Sequence, residues 1–307
     1  MKKLVNKTIH SIFKNGSKTY FYSSIFFPKK VKEDVFVLYS FVRKADDYVD
    51  SIPQQKAEFF EFIEKYEQAR NGALVNDVVI DSFVDLLERK NIKYEWVDAF
   101  LHSMEMDLSI STYNTIQDLK EYLYGSAEVV GLMMAKILGL PTKAYPAARY
   151  LGRAMQFINF IRDIDEDILL GRTYFPQVDL EKFNLSSLEY KYTREYPLEF
   201  KGFIKAQIDR YITWQEKAEN GFRFIPMRYL IPIKTASDMY KWTANQISEK
   251  PFIVYNKKVK PSIKKIVSQV VTNGLTIKKA YKAPKKEQQE QMILCSTFKD
   301  PIKMLYR

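Results

Sequence analysis

The sequence predicts an all-α protein, and three observations carry that expectation. Apolar residues recur at three- and four-residue spacing along most of the chain. Only 10 glycines and 12 prolines interrupt 307 residues, which leaves room for long helices. Neither a Gly-rich phosphate loop nor a series of alternating strands stands out.

The first helix is expected over about 31–51, stopping before Pro53, and the second over 54–70, stopping at Asn71-Gly72. Helices over 77–90 and 94–108 follow, then one over 116–138 that ends at Gly139 and Pro141. The longest is expected over 142–170, with Gly171 as its stop. Pro197, Pro226 and Pro251 bracket helices over 199–222 and 228–249, and a last helix is expected over 258–280. Hydrophobic residues make up 46 % and aromatics 15 %, enough to bury a sizeable core. One helical domain over 1–281 is expected, with a basic and less ordered tail over 282–307.

Of the net charge of +11, +10 lies between Pro251 and Arg307, where 13 basic residues face 3 acidic ones. The basic residues of that segment are almost wholly Lys and no aromatics interleave with Arg there, so no nucleic-acid partner is expected. Contact with an anionic membrane surface fits it better. Cys295 is the only cysteine, which excludes an internal disulfide and a cysteine zinc site, and His10 and His102 are too few for a histidine metal cluster. The start has no signal-peptide-type apolar core, and the longest apolar run, VVGLMMAKILGL from Val129, is short and holds Lys136. A cytoplasmic monomer, peripheral at the membrane, is expected.

Two acidic motifs stand out. In RKADDYVD, residues 43–50, Asp46 and Asp50 share a helix face with Arg43, and the same face continues backwards through Val42, Tyr39 and Val35. In QFINFIRDIDED, residues 156–167, Gln156, Asn159, Asp163 and Asp167 form one polar row on an otherwise apolar helix. Carboxylates on an apolar stripe are costly unless something cationic is bound. Both clusters lie before a helix stop, where the dipole disfavours carboxylates by roughly 0.3–1 kcal/mol each. One such motif alone reads as a solvated acidic face; two, each in an apolar helix and each followed by a breaker, point to Mg²⁺ with a diphosphate.

These residues resemble the squalene and phytoene synthase family, the head-to-head trans-isoprenyl diphosphate synthases. SKTYFYSSIFFP (17–28) is similar to the family's SxSFxxxxxxLP, LYSFVRKADDYVD (38–50) to LYAFCRxxDDxxD, QFINFIRDIDED to QxxNxxRDxxED, and GRTYFP (171–176) to GRxYxP. The resemblance covers about 15–265 and implies an isoprenoid synthase-type bundle around a central apolar cavity, with two facing Asp-rich motifs. It also implies Asp46, Asp50, Asp163, Asp167 and Asn159 as ligands of two or three Mg²⁺ ions, with Mn²⁺ as an alternative ion and Asp47 nearby. Gln156 and Asn159 would orient diphosphate, water or the reacting carbon. Ser17, Lys18, Thr19, Arg43, Arg172, Tyr240 and Lys258 would grip the prenyl diphosphate, and Tyr39 and Tyr122 would face the carbocation. Tyr20, Phe21, Phe26, Phe41, Phe157 and Phe160 are further candidate walls.

Two departures from the pattern are visible. Glu128 in YLYGSAEVVG stands where the family has a small glycine, and Lys32 and Lys258 stand where Arg is usual. The implied reaction joins two allylic diphosphates through a cyclopropyl diphosphate. GRTYFP favours phytoene formation from two geranylgeranyl diphosphates without NADPH. Dehydrosqualene or squalene synthesis from farnesyl diphosphate, NADPH entering only in the squalene case, and a prenyl diphosphate phosphatase are the alternatives.

Overall fold

The structure is a computed structural model that describes residues 2–282, apart from the side chains of 2–6, Lys18 and 280–282. The tail expected over 282–307 thus lies outside the described residues, save for the helical backbone of Lys282.

The α-helices are α1 Lys2–Gly16, α2 Lys18–Ser24, α3 Lys29–Asp50, α4 Lys56–Arg70, α5 Val78–Lys90, α6 Tyr94–Met106, α7 Ile116–Leu123 and α8 Val129–Ile137. They continue as α9 Tyr145–Arg162, α10 Ile164–Leu169, α11 Gln177–Lys182, α12 Tyr190–Thr193, α13 Pro197–Glu219, α14 Met227–Glu249, α15 Ile253–Asn256 and α16 Ile263–Lys282. A small parallel pair, β1 Thr112–Tyr113 and β2 Thr173–Pro176, joins the chain after α6 to the chain after α10.

Local chemistry explains many of the ends. Ser17 caps α2 by accepting from Tyr20 N, and Asp77 caps α5 by accepting from Val79 N and Ile80 N. Thr115 and Asp118 form a reciprocal capping box on α7. Pro261 and Ser262, whose hydroxyl accepts from Lys265 N, move the start of α16 to 263 from the expected 258.

Two expected helices are broken, each for a physical reason. The helix expected over 116–138 contains a π-helical turn at Tyr124–Glu128. The helix expected over 142–170 breaks at Asp163 (φ −102°, ψ 17°). That break puts Asp165, Glu166 and Asp167 in the first turn of α10, where the helix dipole favours carboxylates. The expectation that the second motif opposes its helix dipole is therefore wrong, whereas the first motif does close α3. The helix α1 and the short helices α2, α11, α12 and α15 were not expected; the short ones cannot be stable alone and depend on tertiary contacts.

The helices enclose two large apolar clusters, with a small third one at Phe222, Ile225, Leu230 and Ile277. One collects side chains from α1–α6 and α8, and the other from α7, α9, α13 and α14. The α9 helix runs between them, packed on α13 and α8. Close approach of α8 to α9 depends on two glycines. A Cβ on Gly131 would lie 2.2 Å from Ala148 O, and one on Gly152 would lie 2.2 Å from Ala127 O.

Gly152→Ala is accordingly expected to cost about 1–3 kcal/mol by overpacking, read as a lower melting temperature; an unchanged value would show that the two helices are not in this contact.

Candidate active site

A cavity of about 270 Å³ lies between the two clusters. Tyr20, Ser23 and Ser24 of α2, Tyr39 of α3, Val130 and Met134 of α8, and Pro232 and Ala236 of α14 contribute to its wall. It follows α9 from Ala144 to Asn159, a length of about 22 Å at 1.5 Å per residue. Its polar end is at Gln156 and Asn159, and the acidic motifs meet there.

On the first motif, Arg43 Nη1 donates to Asp46 Oδ2 at 2.8 Å, and its Nη2 pairs with Asp47 Oδ1 at 2.5 Å. Burial and the neighbouring Asp50 push the Asp46 carboxyl up to about 8, against the pull of Arg43. About 35 % of the Asp46 side chain stays exposed, so solvent screens part of this effect.

On the second motif, Arg162 grips Asp163 with two bonds, Nε to Oδ1 at 2.8 Å and Nη2 to Oδ2 at 2.5 Å. Lys258 pairs with Glu166 and stands 3.4 Å from Asp163. Burial first, then Asp163 and Asp50, hold the Asp167 carboxyl well above the usual carboxylate range.

Arg172 ties the motifs together. Buried behind α10, it donates to Asp50 Oδ1 at 2.6 Å, to Val49 O at 2.5 Å and to the Tyr174 hydroxyl at 3.2 Å. Asp107 lies 4.0 Å from the same guanidinium and accepts from Tyr122 (2.7 Å) and Tyr174 (2.8 Å). Burial raises Asp107 to about 6 even so, with Arg172 and the two hydroxyls pulling it down. Asp50 acts on both Asp46 and Asp167, so one set of charges spans the two motifs.

The remaining sequence candidates fall as follows. Tyr39 lines the cavity and stacks on Phe13 with centroids 4.0 Å apart. Gln156 and Asn159 line it too, Asn159 Nδ2 donating to Gln156 Oε1 at 3.3 Å, and Asn159 Oδ1 is buried without a hydrogen-bond partner among the described residues. Tyr240 packs on Tyr20 at 5.5 Å, with its hydroxyl beside Arg162 and Asn159. Ser17 is a helix cap and Thr19 gives its carbonyl to Ser23, while the Lys18 side chain lies outside the described residues. Tyr122 turns to Asp107 and is not among the cavity-lining residues; Phe41, Phe157 and Phe160 are core, and Phe26 is exposed. Arg162, Asp107 and Tyr174 were missed as site residues. Arg162 sits inside the quoted motif, whereas Asp107 has no local sequence signal.

Glu128 does not enter the cavity. It is buried and paired with Arg149 at 2.7 Å and Arg153 at 2.5 Å, on the side of α8 and α9 facing away from the lining. The departure at 128 is therefore a packing feature with its own cations.

No three of the described carboxylates and histidines close into a metal-ligating group, because arginines stand between the carboxylates. The donor set still fits Mg²⁺. It is wholly oxygen, it crowds more carboxylate than the nearby cations keep ionised, and it includes the unpartnered Asn159 Oδ1.

Comparison with known proteins decides the family. The squalene/phytoene synthase model matches residues 13–265. The chain belongs to the squalene/phytoene synthase family. It is 29 % identical over 268 residues to a 15-cis-phytoene synthase of Synechocystis, covering 82 % of this chain and 79 % of that protein. A 4,4'-diapophytoene synthase of Staphylococcus haemolyticus is 28 % identical over 184 residues, covering 58 % of this chain and 64 % of that protein. A ligand-bound dehydrosqualene synthase structure shares the fold at a TM-score of 0.74 and 22 % identity, covering 91 % of this chain and 97 % of that one. A squalene synthase of Alicyclobacillus acidocaldarius does so at 0.72 and 21 %, covering 81 % and 94 %. As a member of the squalene/phytoene synthase family, the protein is a prenyltransferase of the head-to-head type, acting on a prenyl diphosphate in a Mg²⁺-dependent family. No helix among the described residues is long and apolar enough to cross a membrane.

Two predictions follow from these charges. The raised Asp46 pKa means that the metal-free fold keeps this contribution below about pH 4, the usual carboxylate range, and loses it as pH rises through about 8. In chelator at pH 8, Asp46→Asn should therefore melt above the parent, and a lower melting temperature would contradict the charge surplus. Glu128→Ala strands Arg153 and should cost about 3 kcal/mol in denaturant unfolding without changing KM; a changed KM would place Glu128 in the substrate path.

Proposed function

We propose that the protein is a phytoene synthase, condensing two geranylgeranyl diphosphates through a cyclopropyl diphosphate and finishing by proton loss without NADPH. The observation that carries this choice is cavity length. An extended chain of sixteen main-chain carbons, with C–C bonds of about 1.5 Å, reaches roughly 19 Å, and one of twelve carbons roughly 14 Å. The longer tail uses the 22 Å or so beside α9, whereas a farnesyl tail leaves the end at Ala144 and Met134 unfilled.

The residues divide the work by position. Asp46, Asp50, Asp163, Asp167 and Asn159 would hold Mg²⁺, which supplies Lewis-acid neutralisation of the charge developing on the leaving diphosphate. Arg43 and Lys258, each already beside a motif carboxylate, would bind diphosphate oxygens as the ions fill the site. Arg172 is committed to Asp50 and Val49 O, so its role is to position the first motif. Tyr240 orients Asn159 from below Tyr20. The apolar wall excludes water from the carbocation, and the ring faces of Tyr20 and Tyr39 contribute about 0.5–2 kcal/mol per cation contact.

The test is to incubate purified protein and Mg²⁺ with geranylgeranyl or farnesyl diphosphate, with and without NADPH, and to identify the hydrocarbon. A C40 product without NADPH is expected. A C30 product would assign dehydrosqualene or squalene synthesis, and prenyl alcohol alone would assign a phosphatase. Val130 lines the cavity beside Gly131, which packs on Ala148, about 16 Å from the Asn159 end at 1.5 Å per residue. Val130→Phe should therefore lower the preference for the C20 over the C15 substrate at least tenfold in kcat/KM, and an unchanged ratio would refute the cavity-length argument.

A further inference from the structure

We propose that the outer face of α16, together with the Ile25–Phe26 turn after α2, is a docking surface for an anionic lipid bilayer. The inference goes beyond the proposed reaction and does not rest on which prenyl chain is used.

The helix α16 is apolar on two sides: Ile266, Val270 and Ile277 are buried against the body, and a second aliphatic row faces outward. Its inward side carries Gln269, whose amide donates to Asp238 Oδ2 at 3.0 Å, and Asn273, which donates to Asp238 Oδ2 at 2.9 Å and to Thr235 Oγ1 at 3.1 Å. Asp238 is held in turn by Lys234 at 2.9 Å. These buried bonds fix the rotation of the helix about its axis, because turning it would strand the buried Asn273 without its partners.

With that rotation fixed, Ile263, Val267, Val271 and Leu275, spaced by four, stay outside at 43 %, 43 %, 56 % and 67 % exposure. Other exposed apolar residues, such as Ile52, Phe60, Leu169 and Leu198, belong to four different segments of the chain and form no such row along one helix. Beside the stripe, α2 packs against α16 and ends in the exposed Ile25 and Phe26.

Charge selects the occupant. The α16 sequence IKKIVSQVVTNGLTIKKAYK holds five lysines and no acidic residue, and Lys29 and Lys30 follow Phe26. An aliphatic stripe flanked by lysine is the pattern of a helix lying in a lipid interface. A second copy of the same face would set lysine against lysine, and a nucleic acid would leave the aliphatic stripe unused. The inner side of α2 lines the cavity through Tyr20, Ser23 and Ser24, so docking here sets a cavity wall against the membrane that receives a hydrocarbon product.

The test is co-sedimentation of the full chain with phosphatidylcholine vesicles, with and without phosphatidylglycerol. Binding to the anionic vesicles, weakened by salt, is expected. Val267→Ser/Val271→Ser/Leu275→Ser should lower the partition coefficient at least tenfold while leaving turnover of detergent-dispersed substrate unchanged. Lys264→Gln/Lys278→Gln/Lys279→Gln should lower it as well and flatten its salt dependence. The proposal is overturned if the serine variant sediments like the parent. It is overturned equally if binding is lost only on truncation after Lys282, or if the stripe proves to hold a dimer that the serine variant dissociates.

Discussion

Negative charge at the end of an apolar cavity is the constraint on which the rest of this structure depends. Asp50 acts on Asp46, Asp107 and Asp167, Asp163 acts on Asp167, and burial pushes Asp46, Asp107 and Asp167 toward their neutral forms. Much of the surrounding architecture manages that cost. Arg43 and Arg162 each grip a carboxylate on their own motif, and Arg172 reaches from the segment after α10 back to Asp50. Two tyrosine hydroxyls satisfy Asp107. The break at Asp163 moves Asp165, Glu166 and Asp167 from a helix C-terminus, where they would be repelled, to an N-terminus, where they are favoured. What these devices leave over is the part a divalent cation and a diphosphate would use, and it accounts for a site built to change its charge balance when substrate arrives.

The cavity itself is a packing result. Gly131 and Gly152 let α8 and α9 meet backbone to backbone, and small residues such as Ala127, Ala135, Ala148 and Ala218 along the lining leave the space between the two apolar clusters unfilled by side chains. Glu128 belongs to this packing too, anchoring the π-helical turn to α9 through Arg149 and Arg153 outside the lining. In the proposed reaction the acidic end would hold the diphosphate, and the length along α9 would limit the tail that follows it.

Much of this was legible in the sequence because it is local. Helical spacing gave the long helices to within a few residues at most ends, and i, i+4 arithmetic placed Asp46, Asp50 and Arg43 on one face before any coordinates. The motif QFINFIRDIDED also contains Arg162, whose bond to the adjacent Asp163 no spacing rule foretells. Asp107 was illegible for a different reason. It stands alone at the end of α6, and its importance arises only when Tyr122, Tyr174 and Arg172 converge on it from segments 15 to 67 residues away. Glu128 looked like a threat to the cavity because its cations, Arg149 and Arg153, come from the next helix. The dipole argument failed at the second motif since a one-residue break reverses which helix end the acids occupy.

The account's central claim is that the two acidic motifs form one binding unit, and calorimetric titration of Mg²⁺ in the presence of inorganic diphosphate tests it through a double-mutant cycle. Asp50→Asn and Asp167→Asn should each weaken binding strongly, and the double variant should be little worse than either, because each change already dismantles the shared site. Losses that simply add would contradict the claim, since they would mean two independent carboxylate clusters rather than one.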